Sequence, residues 1–142
     1  MDAVWVNQLS IGISQSSNAW TYASLCAGIE SMNFANNEQA QQFFFLCGEG
    51  GASNEVTGIA PVLNIAGRRV VGDSAQDHIS DMQFETGSGR HTSVKIISGG
   101  KQIICDCTVE NIVSFGGNST DVNVFSCELH FNGKPTVTTP TT

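Results

Sequence analysis

Residues that could carry chemistry are present in the chain, but they do not assemble into a site. Cys105-Asp106-Cys107 offers two thiols on one side of an extended strand, and Cys127-x-x-His130 offers a third thiol and an imidazole. A structural zinc site needs four Cys or His ligands, usually with two to four residues between paired cysteines. Here the neighbours on the thiol side are Ile103 and Val109, and strand residues three apart, such as Cys127 and His130, point to opposite faces. The expectation is buried core thiols, because free cysteine packs as a small hydrophobe. His78, His91 and His130 are also scattered. None is placed beside a cysteine and an orienting carboxylate, so no nucleophile-base-acid arrangement is legible.

The glycine-rich runs give the same answer. "GEGGAS" (48–53) and "GSGRH" (87–91) lack the spacing of a dinucleotide loop and the lysine of a phosphate loop. The second could hold an anion through its backbone and Arg90, but reads better as a turn. "RRVVGDSAQDHISD" (68–81) holds the adjacent pair Arg68-Arg69 with no glycine cradle beside it. Asp77 and Asp81 lie one helical turn apart and read as a solvated face. Neither catalysis nor a bound metal or cofactor is expected.

These residues need elements to hold them, and alternation shows where the elements are. In "KQIICDCTVENIV" (101–113), Ile103, Cys105, Cys107 and Val109 share one face, with Asp106, Thr108 and Glu110 on the other. In "DVNVFSCELHF" (121–131), Phe125, Cys127, Leu129 and Phe131 form the dry side; Ser126, Glu128 and His130 form the wet side. Such strands belong to an antiparallel sheet covering a core. "SGGK" (98–101) reads as a hairpin turn after a strand at 91–98, its glycine pair supplying positive φ. "FGGNSTD" (115–121) is a looser connection, and its "NST" reads as a turn rather than a glycosylation acceptor.

The first half is less regular. Strands are expected at 4–13, 20–34 and 56–66, with Pro61 putting the last at an edge or bulge. Residues 36–55 read as a long loop combining Phe43, Phe44 and Phe45 with a polar, glycine-rich stretch. One helix is expected over about 74–84, capped by Asp73 with Gln76 as capping-box partner and Ala75, Ile79 and Met82 on its apolar face. The fold class is therefore mainly β, a sandwich or barrel-like domain over 1–135 with one short flanking helix, followed by a polar, extended tail at 136–142.

Charge excludes one class of function. The first 67 residues contain no Lys or Arg but carry Asp2, Glu30, Glu38, Glu49 and Glu55. Between 68 and 101 five basic residues meet four acidic ones, so a net charge of −7 leaves the rest of the chain strongly acidic. A protein that grips nucleic acid needs a basic stripe to replace phosphate counterions. This surface should instead repel DNA within a Debye length of about 8–10 Å. Five cysteines, an odd number, with no legible secretory leader, are expected to be reduced thiols of a protein assembled in the cytoplasm. No apolar run approaches the ~20 residues that span a bilayer, so no membrane partner is expected.

Four strings taken together carry a family resemblance: "QQFFFLCGEGGASNEVTG" (41–58), "RRVVGDSAQDHI" (68–79), "GSGRHT" (87–92) and "ELHFNGKP" (128–135). In this order and spacing the chain resembles the tail tube, or major tail, proteins of tailed bacteriophages, from about Trp5 to Pro135. The nearest likeness is to long non-contractile tails of phages of Gram-positive bacteria. Cys47 departs from the pattern, where a polar residue is expected. The resemblance implies a β-sandwich with one flanking helix, six copies per ring, and rings stacked into a hollow virion tail through which DNA passes without specific binding. It implies as partners other copies of the chain, tail-tip and tail-terminator proteins, and a tape measure protein during assembly in the host cytoplasm. No catalytic residue comes with it.

Within that picture Phe43, Phe44 and Phe45 are candidate subunit-interface residues, the alternative being local core packing. Arg68, Arg69, Asp77 and Asp81 are further interface candidates. Asp106, Glu110 and Glu128 are candidates to face the lumen, an outer-surface placement or generic solubility being the alternatives. Two other functions stay open: a tube protein of a contractile injection system, and a β-sandwich ligand- or carbohydrate-binding module with Trp5 and Trp20 as the suspect aromatics.

Overall fold

A computed structural model describes residues 3–17 and 19–139. Ten strands and one α-helix follow one another along the chain: β1 (Gln8–Ser16), β2 (Ala19–Ser24), β3 (Ile29–Ala35), β4 (Gln39–Phe44), β5 (Ala52–Gly58), β6 (Val62–Arg68), α1 (Ser74–Asp81), β7 (His91–Ser98), β8 (Lys101–Val113), β9 (Val124–Phe131) and β10 (Thr136–Thr138). Eight of the strands form one antiparallel sheet in the order β2-β1-β7-β8-β9-β6-β3, with β10 paired to the first part of β8. The fold is mainly β with one flanking helix, as expected.

The core follows from the register. Ile11 stands opposite Val94, and Val94 opposite Cys105; Val109 stands opposite Leu129, and Leu129 opposite Leu63. Each of these side chains is buried, so successive rows of apolar residues cross the sheet on one face. The sheet curls over that face until β1 and β3, near its two edges, line a common groove. Helix α1 packs on β1, β2 and β8, burying Ala75, Ile79 and Met82. At the other end, where β7 turns into β8 through Gly99 and Gly100 (φ 58° and 78°), no α-helix among the described residues covers the core.

Several sequence expectations change. Residues 4–6 form a turn of 3₁₀-helix, and the strand begins at Gln8. The expected strand at 20–34 is two strands, broken at 25–28, where Leu25 is buried as if it were a strand residue. The long loop at 36–55 is a hairpin, β4–β5, forming a two-stranded sheet of its own. Pro61 lies between β5 and β6 rather than within a strand. The helix stops at Asp81, and residues 136–138 of the expected tail form β10.

The break at 25–28 brings two backbones together. Gly28 (φ 75°) accepts a hydrogen bond from the Arg68 N–H at 2.7 Å. A Cβ on Gly67 would lie 2.1 Å from the Gly28 carbonyl oxygen, and one on Gly28 would lie 2.4 Å from that of Arg68. Only glycine fits at either position.

Candidate functional site

The helix and the arginine pair form one clamp. Asp73 caps α1 by accepting from the Gln76 N–H at 3.2 Å, as expected. The Gln76 side chain does not complete a capping box. It is fully buried, donates to the carbonyls of Ala27 (2.7 Å) and Arg68 (3.1 Å), and accepts from the Val70 N–H (2.8 Å). One side chain thus satisfies three backbone groups on two connections, at the close approach of Gly28 and Gly67. Arg69 reaches back across it to Asp77 at 2.8 Å and to the Val70 carbonyl at 2.7 Å. That Arg69 hydrogen bond holds the Asp77 carboxyl below its usual range; burial opposes the shift and the Gly72 N–H adds to it.

Arg68 pairs with Glu30 at 3.1 Å, both largely exposed. Three of the four charged interface candidates therefore have partners inside the chain, while Asp81 is exposed with no ion pair among the described residues. Arg90 is committed too. It donates to the carbonyls of Glu85, Gln83 and Val109, tying the segment after α1 to β8, and so is not left to hold an anion.

The three candidate lumen acids share one face of the sheet. Glu110 and Glu128 stand directly opposite each other on β8 and β9. Like charges so placed repel, and His130 lies between them, 3.5 Å from Glu110 and 3.1 Å from Glu128. Asn111, held at φ 52°, donates to Glu128 as well. The row continues through Asn64 on β6 to Asn33 on β3. Asp106 is on the same side of β8, about 13 Å along the strand. Behind this face lie the thiols: burial pushes Cys107 and Cys127 up to about 12, and raises Cys105 as well. Burial lowers His78, partly offset by Asp81. Among the described residues no three His, Cys, Asp or Glu side chains converge on a metal position.

The third feature is the β4–β5 hairpin. Every residue of β4 is exposed, and the strands are about 20 Å long. Phe43 and Phe45 stack on one face with centroids 5.9 Å apart; Phe44 points to the other, opposite Ala52. Phe44 is 69% exposed and Leu46, at the tip, completely so. Local core packing of the three phenylalanines is thus ruled out. Cys47 sits exposed beside Leu46 in the tip's 3₁₀ turn. Of the two tryptophans, Trp20 lies flat over Gly12 and Trp5 projects from the N-terminal turn.

No family model and no curated protein matches the sequence. Solved structures do match in shape. A chain from the tail of an empty gene transfer agent particle, determined by helical refinement with C6 symmetry, superposes with a TM-score of 0.74 at 9% identity, over 97% of this chain and 99% of that one. A chain from the virion of the native gene transfer agent particle superposes with a TM-score of 0.73 at 10% identity, with the same coverage. The fold is that of a gene transfer agent tail protein.

The likeness in fold runs over nearly the whole of each chain. Sequence reasoning located the aromatic run and the three acids. It missed Gln76 as the buried hub and Leu46 as the most exposed apolar residue, since neither position shows a periodic pattern.

Proposed function

We propose that the chain is the structural subunit of a phage-type tail tube, of the long non-contractile kind. Six copies close a ring, rings stack, and DNA passes through the lumen during ejection. The observation that carries this reading is the end-to-end likeness to a chain from a tail with C6 symmetry. A binding module grafted on a common sandwich would not be expected to match both chains over nearly their full length. The exposed arm supports self-association, because an apolar surface of that kind marks a protein-protein contact. Phe43, Phe44 and Phe45 are then interface residues, and the other partners are tail-tip, tail-terminator and tape measure proteins within a virion assembled in the host cytoplasm.

The polar row across β8, β9, β6 and β3 is the best candidate for the lumen wall. Its charged groups are Asp106, Glu110 and Glu128, with His130 between the glutamates; the Arg68–Glu30 pair lies four residues along β6 from Asn64. Such a wall repels phosphate rather than binding it.

Purified protein imaged by electron microscopy is expected to show six-fold rings or tubes; a monodisperse monomer at high concentration overturns the reading. Replacing Asp106, Glu110 and Glu128 with Lys is expected to slow DNA ejection from particles whose tubes still assemble. Unchanged ejection would remove these residues from the lumen.

A further inference from the structure

We infer that the tip of the β4–β5 arm docks in the open apolar end of the curled sheet of a second copy, where Lys101 and Lys134 meet the arm's glutamates. The inference rests on the tube-subunit reading and names the contact that builds it.

The receiving site is a groove of about 300 Å³ at the end of the core that α1 leaves uncovered. Phe34, Leu63, Ile96, Ile103, Phe131 and Val137 line it, so it is continuous with the core rows. Phe34 packs edge-on against Phe131 at 5.9 Å and is still 54% exposed, so the groove is an unfilled piece of the interior.

Charge identifies the occupant. Of the six basic residues, Arg68 and Arg69 have carboxylate partners, Arg90 has three carbonyls, and Lys95 lies over the Tyr22 ring at 4.9 Å. Lys101 and Lys134 are exposed and have no ion pair among the described residues. Both flank this groove: Lys101 is two residues before Ile103 on the same strand face, and Lys134 precedes Pro135, which lines the wall. The arm is complementary. Residues 36–58 contain no Lys or Arg, and carry Glu49 at the tip and Glu55 on β5 beside the exposed Phe43–Leu46 run. An apolar, acidic tip fits an apolar groove with a basic rim.

The arm cannot serve its own groove. Asn36 and Ile59, at the arm's base, are part of the groove's lining, which puts the tip about 20 Å away along paired strands. The contact must therefore run from one copy to the next. A tip and a socket on different parts of one chain make a heterologous contact, which closes into a ring or propagates as a stack.

The test uses the full chain. With Cys26→Ser in the background, Cys47 at the arm tip is paired with a Lys134→Cys substitution and the assembled protein is oxidised. Disulfide-linked dimers and higher multimers are expected, and none when Cys47→Ser is added. A monomer closed on itself, or no cross-link in material that is visibly assembled, overturns the inference while leaving the tube reading standing. If the unmodified chain does not assemble, the tube reading fails first. Separately, Lys101→Glu with Lys134→Glu is expected to raise the concentration needed for assembly at least about tenfold, and Glu49→Lys with Glu55→Lys is expected to restore it. Assembly of the lysine double variant at the unmodified concentration would refute the charge pairing. All four positions are exposed, so the subunit itself should fold in each variant.

Discussion

Leu129 and Phe44 both sit in antiparallel strands with cross-strand partners. Leu129 faces Val109 on one side and Leu63 on the other, and no part of it reaches solvent. Phe44 faces Ala52 in a ribbon of two strands, and most of its ring is in water. Backbone pairing is the same in the curled sheet and the arm, so pairing is not what separates them. The sheet has a face buried within the subunit. An isolated two-stranded ribbon is marginal in water and must find its cover elsewhere. On the proposed reading, stability belongs to the sheet and assembly to the arm, and each part can be perturbed alone.

The widest gap between the two regions should appear in thiol chemistry. Cys26 and Cys47 are exposed, Cys47 on the arm; Cys105, Cys107 and Cys127 are buried in the sheet. Burial pushes Cys107 and Cys127 up to about 12, so both stay protonated and unreactive near neutrality. A thiol-reactive dye should label two sites quickly on the folded subunit, and the other three only as it unfolds. Quick labelling of all five would mean that the sheet opens as readily as the arm.

Phe125→Ala should cost about 3–5 kcal/mol in a denaturant titration of the subunit, since it leaves a cavity in the core rows. Next comes Gln76→Ala, at about 3 kcal/mol, because it strands the carbonyls of Ala27 and Arg68 and the Val70 N–H together. A smaller effect is expected from the clamp. The Asp77 carboxyl titrates below its ordinary 3.8 in the folded chain, so it contributes stability above that pH and loses it as the pH falls through the lower folded value. Asp77→Asn should therefore lower stability near neutrality and flatten its decline in acid. An unchanged acid limb in urea titrations would mean the Arg69 pair contributes nothing. The smallest effect on the subunit belongs to Phe44→Ala, within about 0.5 kcal/mol, although the same substitution should impair assembly measured by light scattering. A large loss of subunit stability from Phe44→Ala would erase the distinction between the two regions.

The same distinction governs how much could be read from the chain. β8 and β9 are legible because burial of one face writes a period of two into Ile103-Cys105-Cys107-Val109 and Phe125-Cys127-Leu129-Phe131. The cap at Asp73 is legible because its chemistry is local. The arm is not, because neither face is buried within the subunit and Gln41-Gln42-Phe43-Phe44-Phe45 has no alternation to show. The break at 25–28 is hidden by Leu25, an apolar residue buried at a bend. The Glu110–His130–Glu128 trio depends on the register of β8 against β9, which no residue pattern announces. The groove joins residues of six strands and four connections, so no single stretch of chain predicts it.

The close approach of Gly28 and Gly67 has a consequence for anyone comparing or diversifying this chain. In a saturation scan scored by tail assembly, both glycines should tolerate nothing, while the aromatic arm accepts many exchanges among large apolar residues. Ranked by intolerance alone, the scan would point to a backbone crossing beneath the helix as the working part. A parallel scan scored by solubility of the subunit would separate the two, because the glycines would fail both selections and the arm only the first.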